Sequence, residues 1–355
     1  MMKRRVAVVA SRVAAAFVLS CAICSAGQNS LSPVTKYFGA TDGSAGVAVG
    51  DSNFVGATDE NNVLRLYSAA DGSKSRSLLD PDFGFPPNKK GRLREYDVEG
   101  ATRIGSLIYF IGSHGRNGDG EVREERQVLF AAKVSGDGEN TKLDLVNNLP
   151  YKRLLTDLQG DEALANLKLS DAIGEKKSDP TKAPKQPGAL NIESICGDHG
   201  RLLIGFRNPT IRQASEEDAL VIPVLNPEAV VLGKESAKFG KPIFLDLAGL
   251  GIRHMALCRG EFLIIGGDYK DRFDSDAKPS RLFRWKGGEH DKPVDLGVDF
   301  GDLNPESIVV FGEGNDTRVL ILSDDGEMRV DGQPNKERPE PQQFFRGVWL
   351  QLESK

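Results

Sequence analysis

V-E-G-A-T-R-I-G-S-L-I-Y-F-I-G-S-H-G, residues 98–115, is spelled again with variation three more times in this chain. The counterparts are I-E-S-I-C-G-D-H-G-R-L-L-I-G-F-R-N (192–208), M-A-L-C-R-G-E-F-L-I-I-G-G-D (255–268) and P-E-S-I-V-V-F-G-E-G-N-D-T-R-V-L-I-L-S-D-D-G (305–326). Each opens on a glutamate or its stand-in, runs through an apolar stretch, turns, and closes a second apolar stretch in a polar cluster. A unit of this kind has an apolar face that only its neighbours can cover, so the repeat sets the architecture.

A third strand is expected after each pair, at residues 62–67, 127–133, 219–224, 281–285 and 346–351. Five third strands imply five units. The first opens with S-A-G-V-A-V at 44–49, turns at Gly50-Asp51 and returns through N-F-V-G-A at 53–57, without the glutamate. Fourth strands are expected at 76–79, 143–147, 242–247 and 293–298. The last unit has no residues left for one, and the segment 33–38 is expected to supply it. Pairing the first strand with the last closes a ring and removes its open edges. The expected fold is all-β: a single β-propeller domain over residues 31–352, with five four-stranded blades. Six blades are the fallback, should 151–187 hide a degenerate one. Residues 151–188 carry Leu154, Leu155, Leu158, Ala163, Leu167 and Leu169 at helical spacing and then a Lys/Pro-rich tail, so they read as a partly helical insertion, either a lid or a surface excursion.

Composition agrees with a soluble β protein: 39% hydrophobic, 27% charged, with 39 glycines and 18 prolines in 355 residues. Residues 1–26 differ from the rest. Lys3, Arg4 and Arg5 precede an apolar stretch that ends in Cys24-Ser25-Ala26, which reads as a signal peptide and predicts a secreted or periplasmic protein. Val18-Leu19-Ser20-Cys21 loosely matches a lipid-attachment box, the less favoured reading. The chain has 46 basic and 51 acidic residues. Four of the basic ones, Lys3, Arg4, Arg5 and Arg12, fall in the leader, and the remaining net charge of −9 excludes nucleic acid and anionic lipid as partners. No later run reaches the roughly 18 apolar residues of a membrane span. A monomer is expected. Cys196 and Cys258, both in inner strands, are left either as a disulfide or as buried thiols.

In an antiparallel hairpin the start of the first strand and the end of the second share one end. Glu99, Glu193 and Glu306 should therefore meet, at one mouth of the central channel, the clusters that close the second strands: Asp59-Glu60-Asn61, Ser113 to Asn117, Arg207-Asn208, Asp268 and Ser323 to Asp325. Three carboxylates in a narrow channel must be protonated, paired or metal-bound. With Asn191 and Asn304 they form a hard oxygen donor set that suits Ca²⁺ or Mg²⁺ rather than zinc. Arg116, Arg207 and Arg253 could instead neutralise them as an ion-pair network, and both readings stay open. In the third stretch Ala256 takes the glutamate's place, shortly after Arg253-His254. His114, in Ser-His-Gly-Arg, and Asp324 are the candidates to move a proton. Arg116, Asn117, Arg207, Asn208, Arg253 and Asp59 are the candidate ligand-binding groups, since a guanidinium beside an amide suits a carboxylate or phosphate.

No G-x-S-x-G elbow, Walker loop or H-E-x-x-H occurs, and the chain beyond the leader has no C-x-x-C pair, which argues against serine hydrolase, nucleotide hydrolase and zinc protease classes. The pieces F-G-A-T-D-G-S-A-G-V-A-V-G-D, S-H-G-R-N, G-F-R-N-P, L-N-P-E-S-I-V-V and L-I-L-S-D-D-G make the chain resemble, from about Phe38 to Leu350, a bacterial family catalogued as domain of unknown function 3616. That resemblance implies no catalytic residue. In outline it is similar to phytase-like and esterase-like propellers and, more distantly, to calcium-dependent propeller lactonases, a likeness of fold only. Two functions are expected from different classes. One is a propeller binding a small anionic or polyol ligand at the channel mouth, with Ca²⁺ on Glu99, Glu193 and Glu306, and hydrolysing a phosphate or carboxylic ester. The other is a non-catalytic platform for protein or polysaccharide.

Overall fold

Five antiparallel sheets stand around one axis, and their inner strands touch in cyclic order. The inner strands are Ala45–Val49, Val98–Ile104, Asn191–Asp198, Gly251–Cys258 and Pro305–Phe311, and the fifth packs back against the first. The computed structural model describes residues 29–352, apart from 89, 90, 214, 215 and 271, and Asn29–Leu352 forms one compact unit. The signal peptide over 1–26 and the Cys21 attachment site lie outside the described residues. The propeller has five blades, and no sixth is hidden at 151–187.

Because each blade is covered on both faces by its neighbours, its central strands read as continuous apolar runs rather than alternating ones. Leu202, Leu203, Ile204 and Phe206 of Arg201–Asn208 are all fully buried. The core divides into five clusters, each made by two adjacent blades, and the last unites blades 5 and 1 through Phe311, Leu322, Phe54 and Tyr67. Closure follows the expected route. Thr35–Phe38 pairs antiparallel with the C-terminal strand Phe344–Gln351, with Thr35 opposite Gly347, and Ser30–Leu31 extends the same edge. The Tyr37 ring crosses the seam, stacked on Phe345 at 5.3 Å and edge-on to Phe54 of blade 1 at 5.3 Å, and its hydroxyl donates to the Ala69 carbonyl at 2.7 Å.

The insertion is partly helical, with helices Leu154–Gly160 and Leu169–Ile173. Leu154, Leu155, Leu158, Leu164 and Leu169 are buried in the cluster between blades 2 and 3, so this part is a wedge of core rather than a lid. Cys196 sits between blades 3 and 4 and Cys258 between blades 4 and 5. Both are buried thiols with no disulfide between them. Among the described residues no helix is long and apolar enough to cross a membrane.

Candidate functional site: the acidic mouth

Four of the five inner strands begin with the same irregularity. The strand register slips between Val98 and Gly100, between Ile192 and Ser194, between Ile252 and His254, and between Pro305 and Ser307. A bulge sets two residues against one and re-aims a side chain. The extra residues are Glu99, Glu193, Arg253 and Glu306, and all four line one cavity of about 750 Å³ at the same mouth. The fourth glutamate position is therefore filled by Arg253. Ala256 lies three residues further along the strand, which corrects the alignment expected from sequence. Blade 1 has no bulge and brings Ser44, whose hydroxyl donates to Asp42 Oδ1 at 2.7 Å.

Two of the glutamates are paired. Arg207 Nη1 donates to Glu193 Oε1 at 2.6 Å, and Arg253 spans the gap between blades, with Nη2 on Glu306 and Nε 3.4 Å from Glu193 Oε2. Asn191 adds a hydrogen bond to Glu193 Oε1 at 2.8 Å, and Arg253 Nη1 donates to Asn304 Oδ1 at 3.1 Å. Burial works against the Arg253 charge, but Glu306 and Glu193 outweigh it and hold the guanidinium above its ordinary value. Burial also pushes Glu306 well up, with Arg253 opposing and Asp324 adding to the shift. These groups form the ion-pair network. Arg207 is further committed to the Asp268 carbonyl at 2.6 Å and the Lys270 carbonyl at 2.9 Å.

The third glutamate belongs to another group. Carboxylate oxygens of Asp59, Asp97 and Glu99 all lie within 4.8 Å of one another. Among the described residues, the one ion pair made by these three is Asp97 with Arg126 at 2.9 Å. Burial pushes Asp59 well above the carboxylate range, reinforced by Asp42, Glu99 and Asp97, and pushes Glu99 likewise, reinforced by Glu193 and Asp97. Glu60, beside them, is raised to about 7, first by burial and then by Asp42. Like charges crowded in a recess share protons or take a cation. Two further buried oxygens at this cavity, Glu193 Oε2 and Glu306 Oε2, have no hydrogen-bond partner among the described residues.

Other sequence candidates go elsewhere. His114 is 2% exposed with φ 54°, its Nδ1 2.8 Å from the Gly112 carbonyl, and burial pushes it down to about 4; it does not line the cavity. Arg116 is spent on backbone, donating to the Ile173 (3.1 Å) and Gly174 (3.2 Å) carbonyls of the insertion and to the Gly120 carbonyl (2.9 Å) of its own loop. Asn117 shapes its own turn, its Oδ1 accepting from the Glu121 amide at 2.7 Å. Asn208 donates to the carbonyls of Pro184 (3.2 Å) and Gln186 (2.7 Å), and so draws residues 183–186 of the insertion to the cavity rim. Asp324 does line the cavity, accepting from Asn304 Nδ2 at 3.0 Å and the Gly326 amide at 2.9 Å.

Sequence reading missed Asp97, which precedes the repeat and completes the triad, and Arg126, its partner. It also missed Arg346, which binds Asp325 (2.8 Å) and Asp302 (2.6 Å) at the blade 5 side of the cavity. Asp97 was findable: it stands two residues before Glu99, as Asn191 and Asn304 stand before their glutamates.

Residues 43–328 match the family described as Protein of unknown function (DUF3616). No curated protein matches the chain. Among solved structures, a protein of Thermus thermophilus assigned as an oxidoreductase (glucose dehydrogenase) is 15% identical, with 91% of this chain and 100% of that one covered and a TM-score of 0.43. Myxococcus xanthus glutaminyl cyclase is 10% identical, covering 92% and 97%, with a TM-score of 0.43. The PQQ-bound aldose sugar dehydrogenase of Streptomyces coelicolor is 14% identical, covering 92% and 99%, with a TM-score of 0.41. Likeness at this level lends the chain no activity.

Proposed function

The chain belongs to the DUF3616 family, and we propose that it is an exported propeller that binds a small anionic or polyol ligand at the acidic mouth, together with Ca²⁺, and hydrolyses a phosphate or carboxylic ester there. The observation that carries this reading is the Asp59, Asp97 and Glu99 cluster, three carboxylates within 4.8 Å with a single arginine paired to them. Hard oxygen donors at this density suit Ca²⁺. In this reading Asp59, Asp97 and Glu99 hold the ion, while Glu193 and Glu306, also expected on the ion from sequence, hold Arg253 in place. A bound cation would polarise a phosphoryl or acyl oxygen. Arg126 and Lys336, which line the same cavity, face the ligand's negative charge, and Asp324, oriented by Asn304, moves the proton.

Calorimetric titration with CaCl₂ tests the ion, and a panel of p-nitrophenyl phosphate, phytate and a γ-lactone, with calcium or EDTA, tests the chemistry. The expected results are saturable calcium binding, abolished by Glu99→Gln, and calcium-dependent turnover of one class. No heat and no shift in melting temperature would remove the ion. Calcium binding without turnover would favour the interaction platform, the reading that the Arg253 ion-pair network already supports.

A further inference from the structure

Blade 1 reaches the acidic mouth by a different route from the other four. Its inner strand, Ala45–Val49, has neither the bulge nor the glutamate, and its share of the Asp59, Asp97 and Glu99 cluster comes instead from the loop that follows Asn53–Ala57. Glu99 stands in a strand and Asp97 next to it, whereas Asp59 belongs to no regular element. A side chain on a loop keeps a precise place only if the loop is tied down.

Asp42 ties it. The residue is 3% exposed and stands just before the inner strand, across the open end of the hairpin from Asp59. Its Oδ1 accepts from the Asp59 amide at 3.2 Å and the Ser44 hydroxyl at 2.7 Å, and its Oδ2 accepts from the hydroxyls of Thr58 and, at 3.3 Å, Thr41. Thr58 Oγ1 in turn accepts from the Glu60 amide at 3.2 Å. One buried carboxylate therefore fastens residues 58–60 to the start of the blade. Burial first and Asp324 next push the Asp42 carboxyl up, and the bonds from Thr58, Ser44 and Asp59 oppose them. Asp42 does not line the cavity, so it can act on a ligand there only through the residues it holds.

We infer that Asp42 is a positioning residue for the cation site: it fixes the backbone of residues 58–60 and so sets the Asp59 carboxylate against Asp97 and Glu99. The role rests on the reading of those three carboxylates as a Ca²⁺ site, and it belongs to a side chain that never touches the ion. Outer partners that orient ligating groups are worth about 10–100-fold in metal affinity. The oxygen on the Asp59 amide is the part that counts, because a backbone N–H can only donate.

The test is calorimetric titration of the full chain with CaCl₂, with the melting temperature in EDTA read on the same samples. Asp42→Ala is expected to weaken calcium by about tenfold or more. Asp42→Asn keeps an oxygen for the Asp59 amide and is expected to bind calcium more tightly than Asp42→Ala does. Thr58→Val cuts one link to the loop and leaves all three ligands in place. It is expected to weaken calcium by about threefold or more, and it keeps the test alive if Asp42→Ala does not fold. A purely structural part for Asp42 would lower the melting temperature in EDTA and leave the calcium affinity of the folded variants at the wild-type value, which would overturn the inference. Equal weakening in the Asn and Ala variants would also overturn it, since charge rather than the hold on the backbone would then be what matters. Absence of calcium binding in the wild type would overturn the cation site itself, whereas wild-type binding with undiminished affinity in folded Asp42→Ala and Thr58→Val would remove Asp42 alone.

Discussion

Arg253 occupies in blade 4 the bulge position that Glu193 occupies in blade 3, and its Nε lies 3.4 Å from Glu193 Oε2. Four glutamates at these positions would repel one another in a buried ring. One reversed sign turns the same geometry into a link across three blades, since Arg253 also holds Glu306. Removing one partner of a buried pair leaves the other charge uncompensated. Arg253→Met is therefore expected to cost about 3–5 kcal/mol in urea unfolding, and adding Glu306→Gln to the same chain is expected to recover part of that loss. An unchanged urea midpoint would mean that the arginine does not hold the ring.

Gly251 precedes Arg253 where other blades place Asp97, Asn191 or Asn304. A Cβ built on Gly251 would stand 1.9 Å from the Arg207 carbonyl oxygen, so only glycine lets the backbones of blades 3 and 4 approach this closely. Gly251→Ala is expected to destabilise the protein by about 2 kcal/mol or more, read as a lower melting temperature, because the obstacle is backbone and cannot swing aside.

Proton linkage at the acidic mouth has a definite sign. Asp59, Glu99, Glu306 and Glu60, the last at about 7, are raised by burial first, so the folded protein holds their protons more tightly than the unfolded chain does. Their contribution is present at low pH and is lost as pH rises through the folded values. His114 and His254, lowered to about 4 by burial, act in the opposite sense, but only below about 6.5, where an unfolded imidazole takes up its proton. From pH about 6.5 to about 8 the melting temperature in EDTA is thus expected to fall as pH rises. Calcium is expected to flatten that slope, and Glu99→Gln to reduce it. A rise with pH in EDTA would contradict the assignment of these carboxyls.

Blade number, hairpins and ring closure were legible because each depends on long apolar runs and on the sharing of edges between first and last strands. The bulges were not. An extra residue in one strand leaves no mark in an apolar run, and without it Met255-Ala256 aligned with the glutamate pairs in place of Ile252-Arg253. The fates of Arg116 and Asn208 were hidden for another reason. Both bind carbonyls of the insertion, whose path depends on burying Leu154, Leu158 and Leu169 between blades 2 and 3. His114 read as a site residue from its polar neighbours, whereas its left-handed backbone and its contact with the Gly112 carbonyl turn it inward.

Arg116→Met should expose that dependence. Loss of the guanidinium leaves the half-buried Ile173 and Gly174 carbonyls without this partner, while the Gly120 carbonyl keeps the Asp179 amide, a cost of about 1–2 kcal/mol. Hydrogen exchange is expected to quicken around residues 173–186 and not in the inner strands. Uniform protection in the variant would show that the insertion is held by its leucines alone.

The central claim is that bulged inner strands bring acidic groups to one mouth, where Asp59, Asp97 and Glu99 share a cation. Crystals grown with CaCl₂ test it directly. The account predicts one ion with oxygen ligands from these three residues at about 2.3–2.6 Å. Calcium bound elsewhere with this cluster empty, or Arg126 turned in to neutralise all three carboxylates, would contradict it.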